Sequence, residues 1–142
     1  MNWFPGVLAT AAVVQVSCQM FKFLLYSARD GSFEFKYLVT AGGIPSAHSA
    51  FVTALTVAVA IRNGVGSDLF AVSFVFSAIV VYDAYRLRGH VQRHAEVINE
   101  EIIRPKGGRE MSEMVGHSLV EIVTGVLYGG LLSAVVTLLL MA

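Results

Sequence analysis

Charge is scarce in this chain of 142 residues: only 14% are Asp, Glu, Lys or Arg, and ten basic side chains balance ten acidic ones. Without a basic field there is no footprint for a polyphosphate backbone, so a nucleic-acid partner is excluded. There is one cysteine, Cys18, so no internal disulfide can form; its place within an apolar run reads as a buried thiol. No lysine or arginine precedes the first apolar run, which is longer than the apolar part of a secretory leader. The first segment is therefore expected to remain in the mature protein.

What the chain has instead is apolar side chain. Hydrophobic residues make up 56% of it, and its mean hydropathy is +0.68. A soluble domain of this length has too much surface to hide so much apolar material. The composition predicts an all-α fold: an integral membrane helical bundle of about four transmembrane helices plus a cytoplasmic amphipathic helical segment. Residues 1–142 are expected to form a single membrane domain, with spans at about 5–28, 46–62, 67–83 and 117–141 and a polar segment at 84–116.

Details of the spans follow from local pattern. Pro5 is tolerable in a first helical turn. Gln15, Gln19 and Lys22, spaced four and three apart, share one face of the first span. The second span is short for a full crossing. Asn63-Gly64-Val65-Gly66 reads as a tight turn before the third span. The stretch Asp83–Glu101 is expected to continue that span as a helix, broken at Arg104-Pro105-Lys106-Gly107-Gly108.

Sidedness follows from the basic residues. Nine of the ten fall in the first and third connections (Lys22, Arg29, Lys36; Arg86, Arg88, Arg93, Arg104, Lys106, Arg109), and only Arg62 falls in the second. With four spans those two connections share a side, which the positive-inside rule makes cytoplasmic, with both termini outward. His48 begins the second span and His117 the fourth. Both are therefore expected at one membrane surface, with most of the positive charge.

Polar chemistry at such a place is a functional hypothesis by default. Taken alone, the residues leave alternatives open. Gly42-Gly43-Ile44-Pro45-Ser46 is a turn and helix start whether or not His48 has a task. His117 and Glu121 can be an interfacial histidine and a carboxylate favoured by a helix dipole, or two groups four apart on one helical face whose side chains meet. Arg86 and Arg88 can be juxtamembrane residues that set topology.

Gly42-Gly43-Ile44-Pro45-Ser46-Ala47-His48-Ser49-Ala50, then Asp83-Ala84 with Arg86 and Arg88, then Ala95-Glu96-Val97-Ile98-Asn99, then Gly116-His117 with Glu121 and Gly125 form an ordered set. In these motifs the chain resembles the divergent branch of the type 2 phosphatidic acid phosphatase and vanadium haloperoxidase superfamily, a branch of small membrane proteins. The resemblance implies His117 as a nucleophile that forms a phosphohistidine, Glu121 as the carboxylate orienting its ring, and His48 as the acid that protonates the departing alkoxide. It implies hydrolysis of a lipid phosphate, or isoprenoid pyrophosphate, without a metal or other cofactor. The superfamily's usual lysine and Arg-Pro motif is absent ahead of Pro45, as is the usual Ser-Arg pair ahead of His117.

The phosphate-binding groups are therefore expected elsewhere: Arg88 first, then Arg86 and Lys22, with Asp83 orienting an arginine. Ser46, Ser49 and Gly43 would help present amides to the anion. The alternative is a non-catalytic membrane protein that binds phosphorylated lipid or a partner through the same basic pocket. His90 and His94 are spaced to share a metal but show no third ligand, and two solvated histidines are the simpler reading. Gly125-x-x-x-Gly129 suits close packing within the bundle or a homodimer.

Overall fold

The structure, a computed structural model, describes residues 6–33, 43–113 and 116–142. Pro5, Lys36 and Gly42 lie outside the described residues. The described chain is all-helical: α1 Gly6–Asp30, α2 Ala47–Asn63, α3 Asp68–Tyr85, α4 Leu87–Ile98 and α5 Leu119–Leu139. A π turn, Asn99–Ile103, and a 3-10 turn, Arg104–Lys106, follow α4. Helix α1, α3 with its continuation, and α5 are each long and apolar enough to cross a membrane. The fold is that of a helical membrane protein.

Helix α2 has 17 residues and rises about 25 Å, somewhat less than a bilayer's hydrocarbon core of about 30 Å. It is the centre of the bundle, because α1, α3 and α5 all pack on it. Its Ala47, Ala50 and Ala54 are buried against Val14 and Cys18 of α1, with Tyr128 and Leu132 of α5 alongside.

Small residues make this packing possible. In α5 every fourth residue from Gly125 through Gly129, Ser133 and Thr137 is buried. A Cβ on Gly125 would collide with the Ser46 carbonyl oxygen, and one on Gly129 would stand 2.6 Å from Ala50 Cα. The two backbones meet there as small-residue seams in membranes do, so the Gly125–Gly129 element is used inside the bundle. Ser133 Oγ extends the seam by donating to the Ala54 carbonyl at 2.7 Å.

Hydroxyls tie α3 to α2. Ser77 Oγ donates to the Val52 carbonyl at 2.8 Å, and Thr56 Oγ1 shares a hydrogen bond with Ser77 Oγ at 2.6 Å. The rest of α3 turns outward: Leu69, Val72, Phe74, Phe76 and Ile79 are all exposed. This is the surface expected against acyl chains, with backbone polar groups satisfied inside the helix.

Two boundaries differ from the sequence expectation. The α3–α4 helix is nearly continuous, but its geometry breaks at Arg86, and the π turn interrupts it again before Glu101. The last helix starts at Leu119 rather than His117. Ser118 is its N-cap, and Ser118 with Glu121 forms a reciprocal capping box, which fixes the first helical residue.

Candidate functional site

The α2 start is shaped by a turn. Gly43 has φ 99° and the Ile44–Pro45 peptide is cis. The Tyr26 hydroxyl on α1 accepts the Ile44 N–H at 3.2 Å, and a side chain at Gly43 would collide with that hydroxyl. Ser46 caps α2, its Oγ accepting the Ser49 N–H at 3.4 Å and the Ser49 hydroxyl at 3.1 Å. The Ser46 N–H donates to the Glu121 carbonyl at 2.9 Å, joining the starts of α2 and α5. Both serines are fully buried. The Ser46 N–H and the Ser49 N–H and hydroxyl are taken up by α5 and by the cap, which corrects the expectation that these two amides face an anion. Gly43 likewise serves the turn.

His48 is the second residue of α2, and its ring lies 6.2 Å from that of His117, centroid to centroid, at an interplanar angle of 58°. Topology brings together two imidazoles 69 positions apart in the sequence. His117 sits one residue before the N-cap of α5, so it meets Glu121 through the capping turn and not along a helical face. Its Nδ1 is 3.1 Å from Glu121 Oε2. The His117 side chain has no exposed surface, and that of Glu121 is 20% exposed. His117 Nε2 and His48 Nδ1 are buried and find no hydrogen-bond partner among the described residues.

Charge gathers around this pair. Arg88, His117, Lys22 and Asp83 all act electrostatically on His48. Lys22 is fully buried and acts on Glu121 and Cys18 as well. Arg88 Nε donates to Asp83 Oδ2 at 3.3 Å, so the carboxylate expected to orient an arginine is paired with Arg88. Arg86 goes elsewhere. It lines a cavity of about 400 Å³ beneath α4, with His90, Arg93 and Glu96 from α4 and His117 and Glu121 from the α5 start. His94 does not line it, and among the described residues no group of three His, Cys, Asp or Glu side chains could hold a metal ion.

Several residues given no role by the sequence position His117. Gln92 Oε1 accepts the Gly116 N–H at 3.1 Å, while its Nε2 donates to Glu96 at 2.9 Å. Gly116 packs so closely that an added Cβ would lie 3.1 Å from Gly89 Cα. Buried Asn99 holds the returning chain at both ends of one residue. It donates to the Met111 carbonyl at 2.8 Å and accepts the Met111 N–H at 2.8 Å. Arg104 then bonds Glu110 at 3.1 Å and Glu113 at 3.0 Å. The bonds that reach the return segment carry no local signature, since Gly116 lies 24 positions from Gln92 and Met111 lies 12 from Asn99.

Fold and site together define a class: an integral membrane helical protein whose two histidines meet at the starts of two packed helices. The chain belongs to the Divergent PAP2 family, whose profile matches residues 5–132. It is 33% identical over 153 residues to the uncharacterized membrane protein YuiD of Bacillus subtilis (strain 168), covering 96% of this chain and 93% of YuiD. No solved structure matches it.

Proposed function

We propose that this protein is a membrane-embedded phosphatase of lipid phosphates that works through a phosphohistidine. Membership of the Divergent PAP2 family points to a phosphatase-related role. One observation supports the finer reading most: two buried imidazole nitrogens, His48 Nδ1 and His117 Nε2, lack partners among the described residues, and the charges of Arg88 and Lys22 act on His48. Buried polar atoms without partners are costly, and this set has the charge to accept a phosphoryl group.

Glu121 accepts the Nδ1 proton of His117, which leaves the Nε2 lone pair for attack. Nε2 bonds to phosphorus as the ester P–O bond breaks, and His48 gives a proton to the departing alkoxide. Water then attacks phosphorus, the P–N bond breaks, and His48 takes a proton from that water. Arg88 and Lys22 hold the non-bridging oxygens. In-line transfer puts the nucleophile about 3–3.5 Å from phosphorus and the acid about 3 Å from the leaving oxygen, so the closely set rings part as phosphate enters.

The distribution of basic residues supports a site at the cytoplasmic face of one membrane domain, at headgroup level, with both termini outward. Purified protein is expected to release phosphate from phosphatidate or a polyprenyl phosphate in the presence of chelator, and vanadate to inhibit it. Label from ³²P substrate should be trapped on His117 as an acid-labile, alkali-stable phosphoramidate. Phosphate release that survives in both His48→Ala and His117→Ala would refute the assignment. A second reading, binding of phosphorylated lipid without turnover, is favoured by the complete enclosure of the His117 side chain. Lipid phosphate binding with no phosphate release, unchanged in His117→Asn, would select it.

A further inference from the structure

The cavity beneath α4 lies beside the histidine pair but has its own chemistry. Its volume of about 400 Å³ is in the range of small-ligand sites. Neither His48, Arg88 nor Lys22 lines it. Arg86, His90 and Arg93 do, and their spacing of four and three puts them on one face of the α4 region.

The cavity also has carboxylates. Glu96 lines it, held by Gln92 Nε2 at Oε1, and Glu121 lines it, held by His117 and the Ser118 N–H at Oε2. Among the described residues, each acid thus has one oxygen engaged and the other without a hydrogen-bond partner. A bare phosphate would satisfy the arginines but face two carboxylates. A bare amine would meet the opposite conflict. A ligand that bears both signs within a few bonds matches both sets of side chains.

We propose that this cavity is a binding site for a zwitterionic phosphate ester of the phosphoethanolamine type. Its phosphate pairs with Arg86 and Arg93, and its primary ammonium with Glu96 and Glu121. The assignment goes beyond the phosphatase reading and does not require His117 to act as a nucleophile, so either can fail alone.

The test is binding to the full chain in a non-ionic detergent by isothermal titration calorimetry, with O-phosphoethanolamine, inorganic phosphate and ethanolamine as probes. O-phosphoethanolamine is expected to bind at least about tenfold tighter than either of the others, the worth of one added charged hydrogen bond. Glu96→Gln should remove that advantage and, by relieving repulsion, leave phosphate binding equal or tighter, while Arg93→Ala should weaken O-phosphoethanolamine about tenfold. Phosphate that binds as tightly as O-phosphoethanolamine overturns the proposal, as does an Arg93→Ala protein with unaltered affinity. Repeating the titration in phosphatidylglycerol nanodiscs with and without phosphatidylethanolamine identifies the source. Competition by that lipid assigns the site to a membrane headgroup, and unchanged affinity assigns it to a soluble ester.

Discussion

Glu121 uses a single oxygen, Oε2, for two tasks: it accepts the Ser118 N–H at 3.0 Å and holds His117 Nδ1 at 3.1 Å. The start of α5 and the orientation of the imidazole are therefore one structure. Glu121→Gln preserves an acceptor for the cap but loses the charge that favours an imidazolium. On the phosphatase reading it should reduce phosphate release about 100-fold or more with little change in melting temperature. Glu121→Ala should lose activity and also about 1 kcal/mol of stability from the broken box. Equal activity in Glu121→Gln and the unaltered protein would deny the carboxylate its role.

The α2–α5 seam gives a sharp contrast between neighbouring glycines. A methyl at Gly129 would stand 2.6 Å from Ala50 Cα, whereas at Gly130 the nearest atom is Thr53 Cγ2 at 3.7 Å. Gly129→Ala should destabilise the bundle by about 1–3 kcal/mol, and Gly130→Ala should be nearly neutral. Thermal unfolding in detergent measures both, and similar melting temperatures for the pair would contradict the seam.

Gly116→Ala tests the α4 clamp. The new methyl would press on Gln92 Oε1 at 2.8 Å and Gly89 Cα at 3.1 Å, displacing the residue next to His117. Displacements of about 1 Å cost catalysts up to about 100-fold, so phosphate release should drop by about tenfold or more while helix content by circular dichroism is retained. Full activity would show that the clamp is dispensable.

The return loop should loosen in acid. The hydrogen bond from Arg104 holds the Glu110 carboxyl below its ordinary value of 4.5, helped by the guanidinium's charge. A carboxyl depressed on folding contributes stability above its unfolded pKa, and that contribution is lost as pH falls through the lower folded value. Hydrogen exchange at the Met111 amide, which Asn99 protects, should therefore accelerate only as pH falls below about 4.5, after correction for intrinsic rates. Both groups are exposed, so added salt should mimic part of the effect. Arg104→Ala should abolish the extra acid sensitivity; a pH response that survives it would assign the effect elsewhere.

Much of the architecture was legible because membranes impose simple rules. Apolar runs of sufficient length mark α1, α3 and α5, and the count of crossings alone brings His48 and His117 to one side. The meeting of Glu121 and His117 was also legible, although the expected helical face was the wrong cause. A capping box does that work, and Ser118 was its signature. Less readable was the division of the basic residues. Arg86 and Arg88 stand two positions apart, yet one faces the α4 cavity and the other pairs with Asp83, because residues two apart on a helix lie about 200° from each other around its axis. Ser46 and Ser49 looked like anion donors because a capping pattern and a phosphate-binding pattern use the same residues. Burial, which separates the two, arises only when α5 packs over them.

The contact of main chain against main chain where Gly125 and Gly129 cross α2 also limits how the two rings can be brought apart. Main-chain atoms of Ser46 and Ala50 lie directly against the two glycines, so the helices cannot slide there without backbone collision and the platform beneath His48 is rigid. His117 is held from two sides, by Glu121 of α5 and, through the Gly116 peptide, by Gln92 of α4. Of these two ties the Gly116–Gln92 bond is the one that joins the ring to another helix, so its release is the motion to watch.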